Sequence, residues 1–174
     1  MRKALVVLAV LVFAVAFCET VLLHESLTFT IYRSGNIVVG YFHGFWENLL
    51  SDDYLCFFAA AYDTKLYLEL CLFAITFEDT RIPEKFRNLT AIVVGKERFP
   101  LNPSPFNLGG NTVVWHVEGG GRILDVIAGM DYVFLEVYSG YTRVLVLTVS
   151  PRDFRSFLEE YRYQVERHKK FGGR

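Results

Sequence analysis

Residues 54–77 of the chain read YLCFFAAAYDTKLYLELCLFAITF, and this stretch decides the fold class. Two apolar runs rich in aromatic and aliphatic side chains flank the polar pair Asp63-Thr64. Aromatic residues favour strands, and a short polar pair between two such runs is typical of a hairpin turn. The stretch therefore predicts a long antiparallel hairpin that turns at Asp63-Thr64.

Side chains alternate between the two faces of such a hairpin. The nearly aliphatic face is predicted to be core and carries Leu55, Phe57, Ala59, Ala61, Leu66, Leu68, Leu70, Leu72 and Ala74. The mixed face is predicted to be half exposed and carries Tyr54, Cys56, Phe58, Tyr62, Lys65, Tyr67, Glu69, Cys71 and Phe73.

Two cysteines lie on the mixed face of the hairpin. A symmetric turn at Asp63-Thr64 places Cys56 directly opposite Cys71, where Cα atoms are about 4.5–5.5 Å apart. That separation permits a disulfide, which would form in an oxidising compartment. We therefore expect a Cys56–Cys71 disulfide, with a pair of half-buried free thiols as the alternative.

Extended patterns of the same kind recur on both sides of the hairpin. They cover residues 27–32, 37–46, 89–95, 112–118, 132–138 and 142–149. Residues 99–107 contain three prolines and are predicted to form an irregular loop or a sheet edge. Residues 122–128 fit a two-turn helix that ends at Gly129.

Ser150-Pro151-Arg152-Asp153 predicts the start of a C-terminal helix, with Ser150 as N-cap and Asp153 completing a capping box. Apolar residues follow at helical spacing, namely Phe154, Phe157, Leu158, Tyr161 and Val165. The sequence thus predicts a mainly β protein: an antiparallel β-sandwich or a strongly curved sheet, with a C-terminal amphipathic helix packed on it.

The N-terminus has the pattern of a signal peptide. Arg2 and Lys3 precede an apolar run over residues 4–17, which is shorter than a transmembrane helix, and Ala14-Val15-Ala16 fits a cleavage site. We rank cleavage after Ala16 first, a lipoprotein acylated at Cys18 second, and an uncleaved anchor third. The predicted organisation is a signal peptide (1–17), one β-rich domain (18–168) and a flexible basic tail (169–174), in a protein exported to the periplasm, cell surface or medium.

Composition and motifs favour no enzyme class and no cofactor. The formal net charge of −1 gives no reason to expect nucleic acid, and membrane contact is expected only through an uncleaved or lipidated N-terminus. Gly119-Gly120-Gly121 lacks the Lys and Ser/Thr of a phosphate-binding loop. The histidines have no metal-ligand spacing, so no metal site is expected; they are His24, His43, His116 and His168.

Two groups of residues are candidates for a binding surface. The first is His43 with Trp46 and Glu47, and the second is the hairpin's aromatic group of Phe58, Tyr67 and Phe73. A half-exposed strand histidine, and a face covered by another strand or by the helix, are the structural alternatives. We expect an exported, non-enzymatic binding or envelope-interaction protein of unknown ligand. The alternatives are a small secreted hydrolase using His43, Glu47 or His116, and a structural assembly subunit.

The second half of the chain resembles a known family in the order of its elements. The order is LTAIVV (89–94), a loop, VVWHV (113–117), ILDVIAG (123–129), a hairpin and a helix, downstream of the hairpin with Cys56 and Cys71. It is similar to the invasion-associated locus B family of exported bacterial β-sandwich proteins. The resemblance implies an envelope β-sandwich without known catalytic residues. The family's additional cysteine-containing segment has no counterpart around residues 99–110.

The leader makes a direct prediction, because signal peptidase cleaves after a small-x-small pattern. N-terminal sequencing of the protein isolated from its host should begin near Phe17, or at a lipidated Cys18. Recovery of an intact Met1 from the envelope would contradict cleavage.

Overall fold

A computed structural model describes residues 20–51, 53–78, 82–103 and 111–171. The predicted signal peptide, Cys18 and residues 172–174 lie outside the described residues. Among the described residues, no helix combines the length and apolar character needed to cross a membrane.

Ten strands and three α-helices make up the described chain. The strands are β1 Thr20–Glu25, β2 Phe29–Ser34, β3 Ile37–Phe42, β4 Tyr54–Asp63, β5 Leu68–Phe77, β6 Ala91–Val94, β7 Glu97–Pro103, β8 Thr112–Val117, β9 Val133–Ser139 and β10 Thr142–Val149. The helices are α1 Glu47–Leu50, α2 Gly121–Ala128 and α3 Pro151–Phe171, with a 3₁₀ turn at Glu84–Phe86.

The strands form one antiparallel, strongly curved sheet in the order β1-β2-β3-β4-β5-β8-β7-β6-β9-β10. β7 pairs with β6 through residues 97–100 and with β8 through residues 101–103, so it connects the two halves. An isolated bridge joins Phe45 to Val149 and brings the end of β10 back to the segment after β3. The predicted mainly β, antiparallel fold with a C-terminal helix is confirmed.

The register of the β4–β5 hairpin differs from the prediction. Cys56 lies opposite Ile75, and Cys71 lies opposite Ala60. The turn is wider than predicted because Asp63 Oδ1 accepts hydrogen bonds from the backbone N–H groups of Lys65 (2.8 Å) and Leu66 (3.0 Å).

The predicted Cys56–Cys71 disulfide is therefore wrong. Both thiols point to the same face, but four residues of strand, about 13 Å, separate them. Both cysteines are free and fully buried. Burial raises the pKa of each thiol, so both stay protonated near neutral pH and are poor nucleophiles.

The two faces of the hairpin are also the reverse of the prediction. The face predicted to be half exposed belongs to the main core, in which Cys56, Phe58, Cys71 and Phe73 are fully buried. Of the polar residues that made this face look half exposed, Lys65 and Tyr67 lie in the turn, and Tyr62 and Glu69 lie at the strand ends next to it. The opposite face contributes a smaller buried cluster, consisting of Tyr41, Phe57, Ala59, Ala74 and Val114.

Helix α3 packs on the concave side of the sheet through its predicted apolar face. Phe154, Phe157 and Tyr161 are fully buried, and the Phe157 ring lies 5.6 Å from the Phe42 ring. Gly40 of β3 lies directly beneath them, because a Cβ there would sit 2.8 Å from Phe157 Cε2 and 2.9 Å from Tyr161 Cδ2. The helix thus rests on the bare backbone of β3.

Ser150 caps the N-terminus of α3, as predicted. The Asp153 N–H donates to Ser150 Oγ at 3.3 Å, and the Phe154 N–H donates to the Ser150 carbonyl at 3.0 Å. The helix continues to Phe171, so residues 169–171 of the predicted tail are helical. Lys169 Nζ donates to Glu166 at 2.7 Å.

Residues 99–103 belong to strand β7, which lies between β8 and β6, rather than to the irregular loop or sheet edge predicted from their prolines. Pro100 is tolerated because β7 changes partner there. Its carbonyl accepts from the Glu118 N–H at 3.0 Å, and the next N–H, of Leu101, donates to the Thr90 carbonyl at 2.9 Å. The missing N–H of proline therefore falls at a junction between two strand pairings.

Replacing Phe157 with Ala should lower the free energy of unfolding by about 3 kcal/mol, because it opens a cavity between α3 and β3. Denaturant unfolding measures the loss. Tyr163→Ala, on the exposed side of the same helix, is the control and should change stability by no more than about 0.5 kcal/mol. Equal, small effects would mean that α3 does not pack on the sheet.

Candidate functional site

The structure places the residues predicted to form a binding surface in different parts of the molecule. Phe58 and Phe73 are fully buried in the core, so their assignment to a surface is wrong. They are buried because β4 and β5 turn this face toward the helices. Tyr67 is exposed in the turn after β4, whereas Trp46 is exposed near the start of β4. His43, Trp46 and Glu47 lie together in the segment that connects β3 to β4.

This connecting segment is fixed by backbone hydrogen bonds to two different parts of the sheet. The His43 N–H donates to the Thr28 carbonyl at 2.9 Å, beside β2. The Trp46 N–H donates to the Thr148 carbonyl of β10 at 3.0 Å. We call the junction between the end of β10 and the segment after β3 the seam.

Asn48 attaches the short helix α1 to the edge of β4. β3 pairs with β4 only as far as Phe58, so the backbone of Cys56 has no strand partner on that side. The Asn48 side chain takes that place: its Nδ2 donates to the Cys56 carbonyl at 2.7 Å, and its Oδ1 accepts from the Cys56 N–H at 2.8 Å. Nδ2 also donates to the His43 carbonyl at 2.8 Å. A single buried amide thus replaces a strand.

Glu47 joins the other side of α1 to β10. Its Oε2 accepts from the Thr148 N–H at 2.8 Å, and its Oε1 accepts from Thr148 Oγ1 at 2.9 Å. Both carboxylate oxygens are therefore engaged in holding the seam. Burial lowers the pKa of the His43 imidazole and so favours the neutral ring, whereas the Glu25 carboxylate has a smaller effect in the opposite direction.

Large apolar side chains are exposed along the seam. Phe134 lies opposite Thr148 in the β9–β10 pairing, and Tyr132 precedes β9. The group, which we call the seam patch, consists of Trp46, Leu49, Leu50, Tyr132 and Phe134, each more than half exposed. Exposed apolar groups of this kind mark interaction surfaces more often than isolated leucines do.

The residues considered for a hydrolase do not converge. His116 lies on β8, opposite Leu72 of β5 and Asn102 of β7. β8 is three strand positions away from β3, a distance of about 14 Å, so His116 does not approach His43 or Glu47. Across the ranges that the structure describes, no three His, Cys, Asp or Glu side chains are grouped to hold a metal ion.

Sequence reasoning missed Asn48, Thr148 and the apolar members of the seam patch other than Trp46. Leu49 and Leu50 are adjacent, and a four-residue helix has too little periodicity to indicate an exposed face. The contact between Glu47 and Thr148 spans 101 positions of sequence. Only the three-dimensional contact of β10 with the segment after β3 could have revealed it.

Comparison with known proteins adds no relative. No family model matches the chain, and neither the curated proteins nor the solved structures contain a match. The resemblance to the invasion-associated locus B family therefore stays a prediction.

Replacing Asn48 with Leu should lower the free energy of unfolding by about 3 kcal/mol. The apolar side chain leaves the buried N–H and carbonyl of Cys56 without partners, and each orphaned group costs about 1–3 kcal/mol. Denaturant unfolding provides the measurement. Asn102→Leu is the matched control, since the Asn102 amide bonds Glu118 on the exposed surface; a similar loss in both variants would contradict the role of Asn48.

Proposed function

We propose that this is an exported, non-enzymatic binding protein whose seam patch binds another protein of the envelope. The observation that carries the proposal is the exposure of Trp46, Leu49 and Leu50 on a backbone that side-chain hydrogen bonds hold in place. Tryptophan and tyrosine contribute most of the binding energy in many protein interfaces. Export rests on the signal-peptide pattern of residues 1–17.

Rigidity of the patch supports a binding role. A helix of four residues does not persist by itself in water. Asn48 and Glu47 fix α1 from opposite sides, toward β4 and β10. A surface that is already ordered loses less conformational entropy when a partner binds, so more of the contact energy appears as affinity.

Charge at the border of the patch favours a protein over an anionic lipid surface. Asp131 precedes Tyr132, Asp53 follows the α1 segment, and both are exposed. Arg152 and Asp153 lie in the first turn of α3, so the border carries both signs with an acidic excess. A partner with an apolar centre and a partly basic rim fits this arrangement.

The same patch supports a second candidate function, a structural assembly subunit. In that case the partner is another copy of this chain, and the exposed apolar group is the self-contact. The two functions differ in what the patch touches, so a crosslink from the patch separates them.

The test places a photo-crosslinking amino acid at Leu50 in the native host. A discrete adduct with one other protein is expected, and Trp46→Glu in the same chain should abolish it, because the charge falls within the interface. The probe at Tyr141, which is fully exposed in the β9–β10 turn, is the control. An adduct between two copies of the chain would select assembly. No adduct from Leu50, or the same adducts from Tyr141, would contradict an interface at the seam.

A further inference from the structure

We propose that the end of the molecule opposite the seam binds the surface of anionic lipid bilayers. β4 is ten residues long, about 33 Å, and runs from the seam to the turn at residues 64–67. We call this turn, together with Leu68 and the last turn of α3, the tip. The inference does not depend on the proposed function, because the tip and the seam patch share no residue.

The tip presents apolar side chains on a rigid turn. Leu66 and Tyr67 are 72% and 74% exposed, and Leu68 is half exposed. Besides the bonds to Asp63, the turn is held by Thr64, whose N–H and Oγ1 both donate to the Asn36 carbonyl, at 2.9 and 2.8 Å. The turn is thus tied to the neighbouring β2–β3 turn.

Tyr67 occupies a backbone conformation that is unfavourable for its type. Its φ is +54°, in the left-handed region where glycine or asparagine is usual. Backbone strain of this kind is concentrated at functional sites. In this turn the unfavourable conformation holds the Tyr67 ring outward, although packing within the described fold does not require the ring to be there.

Basic side chains lie at the same end of the molecule as these apolar side chains. Lys169 Nζ lies 4.4 Å from the centroid of the Tyr62 ring, which places the end of α3 beside the start of the turn. Exposed basic residues at this end are Lys65, Arg167, Lys169 and Lys170.

The acidic residues of the tip are already engaged. Asp63 accepts the backbone bonds of the turn, and Glu166 pairs with Lys169. The Glu69 carboxylate lies against Gly121 at the start of α2. These three carboxylates keep their charge, so together with the four cations Lys65, Arg167, Lys169 and Lys170 they give the tip a formal excess of one positive charge. The whole chain, by contrast, has a formal net charge of −1. The net charge of the whole chain gave no reason to expect a membrane surface, because it does not show where on the molecule the positive charges lie.

The combination of groups fits a bilayer interface. Tyrosine is enriched at the level of lipid headgroups, where its ring contacts acyl chains and its hydroxyl contacts water. Leucines beside it can enter the acyl boundary, while lysines nearby attract anionic headgroups. The seam patch has an acidic border and therefore lacks the positive charges that would attract anionic headgroups.

The test is co-sedimentation of the protein purified from its host with vesicles of phosphatidylcholine, alone or mixed equally with phosphatidylglycerol. Binding to the mixed vesicles is expected to be stronger, and to weaken as salt rises, because the attraction is electrostatic. Equal binding to both kinds of vesicle, or no binding, would overturn the proposal. Binding through a retained apolar N-terminus alone would be insensitive to lipid charge, and it therefore counts among the results that overturn the proposal.

Three variants make the assignment to the tip specific. Tyr67→Gly suits a positive φ, so the fold is preserved, and it should weaken binding by removing the ring. Lys170→Gln should weaken binding to the mixed vesicles about fivefold and reduce the salt dependence. Tyr163→Ser, exposed elsewhere on α3, should bind as the unmodified protein does. Unchanged binding by Tyr67→Gly and Lys170→Gln would overturn the tip as the contact.

Discussion

The packing of α3 on the bare backbone of β3 is the contact on which the rest of the structure depends. Gly40 has no side chain, so Phe157 and Tyr161 approach the strand closely enough to fill the concave side of the sheet. A flat sheet would leave much of this aromatic face in water, whereas a curved sheet encloses it. Burying these rings contributes far more than the hydrogen bonds of any single turn.

The seam follows from the same contact. β10 leads directly into α3, with only Ser150 between them, so docking of the helix fixes where β10 ends. Val149 then reaches Phe45, and Thr148 reaches Glu47. The short helix α1 is held at this junction, and its leucines face solvent. The proposed binding surface is thus a by-product of how the sheet curves around the helix.

The sequence predicted features that depend on local patterns. The cap at Ser150 and the spacing of Phe154, Phe157 and Tyr161 are local, and both were confirmed. The predicted register of β4 and β5 was wrong because two hydrogen bonds set the width of the turn. The Asp63 carboxylate accepts one of them from the Lys65 N–H, and the Asn36 carbonyl accepts the other from Thr64 Oγ1. The faces of the hairpin were reversed because burial depended on distant strands and helices, not on the hairpin's own composition. The seam joins residues about a hundred positions apart and had no local signal.

Nuclear Overhauser spectroscopy of the folded protein tests the contact between α3 and β3 most directly. The account predicts cross-peaks from both Hα protons of Gly40 to the ring protons of Phe157 and Tyr161, together with ring-current shifts of those Hα resonances. Gly40 Hα resonances at random-coil positions, without cross-peaks to either ring, would contradict it.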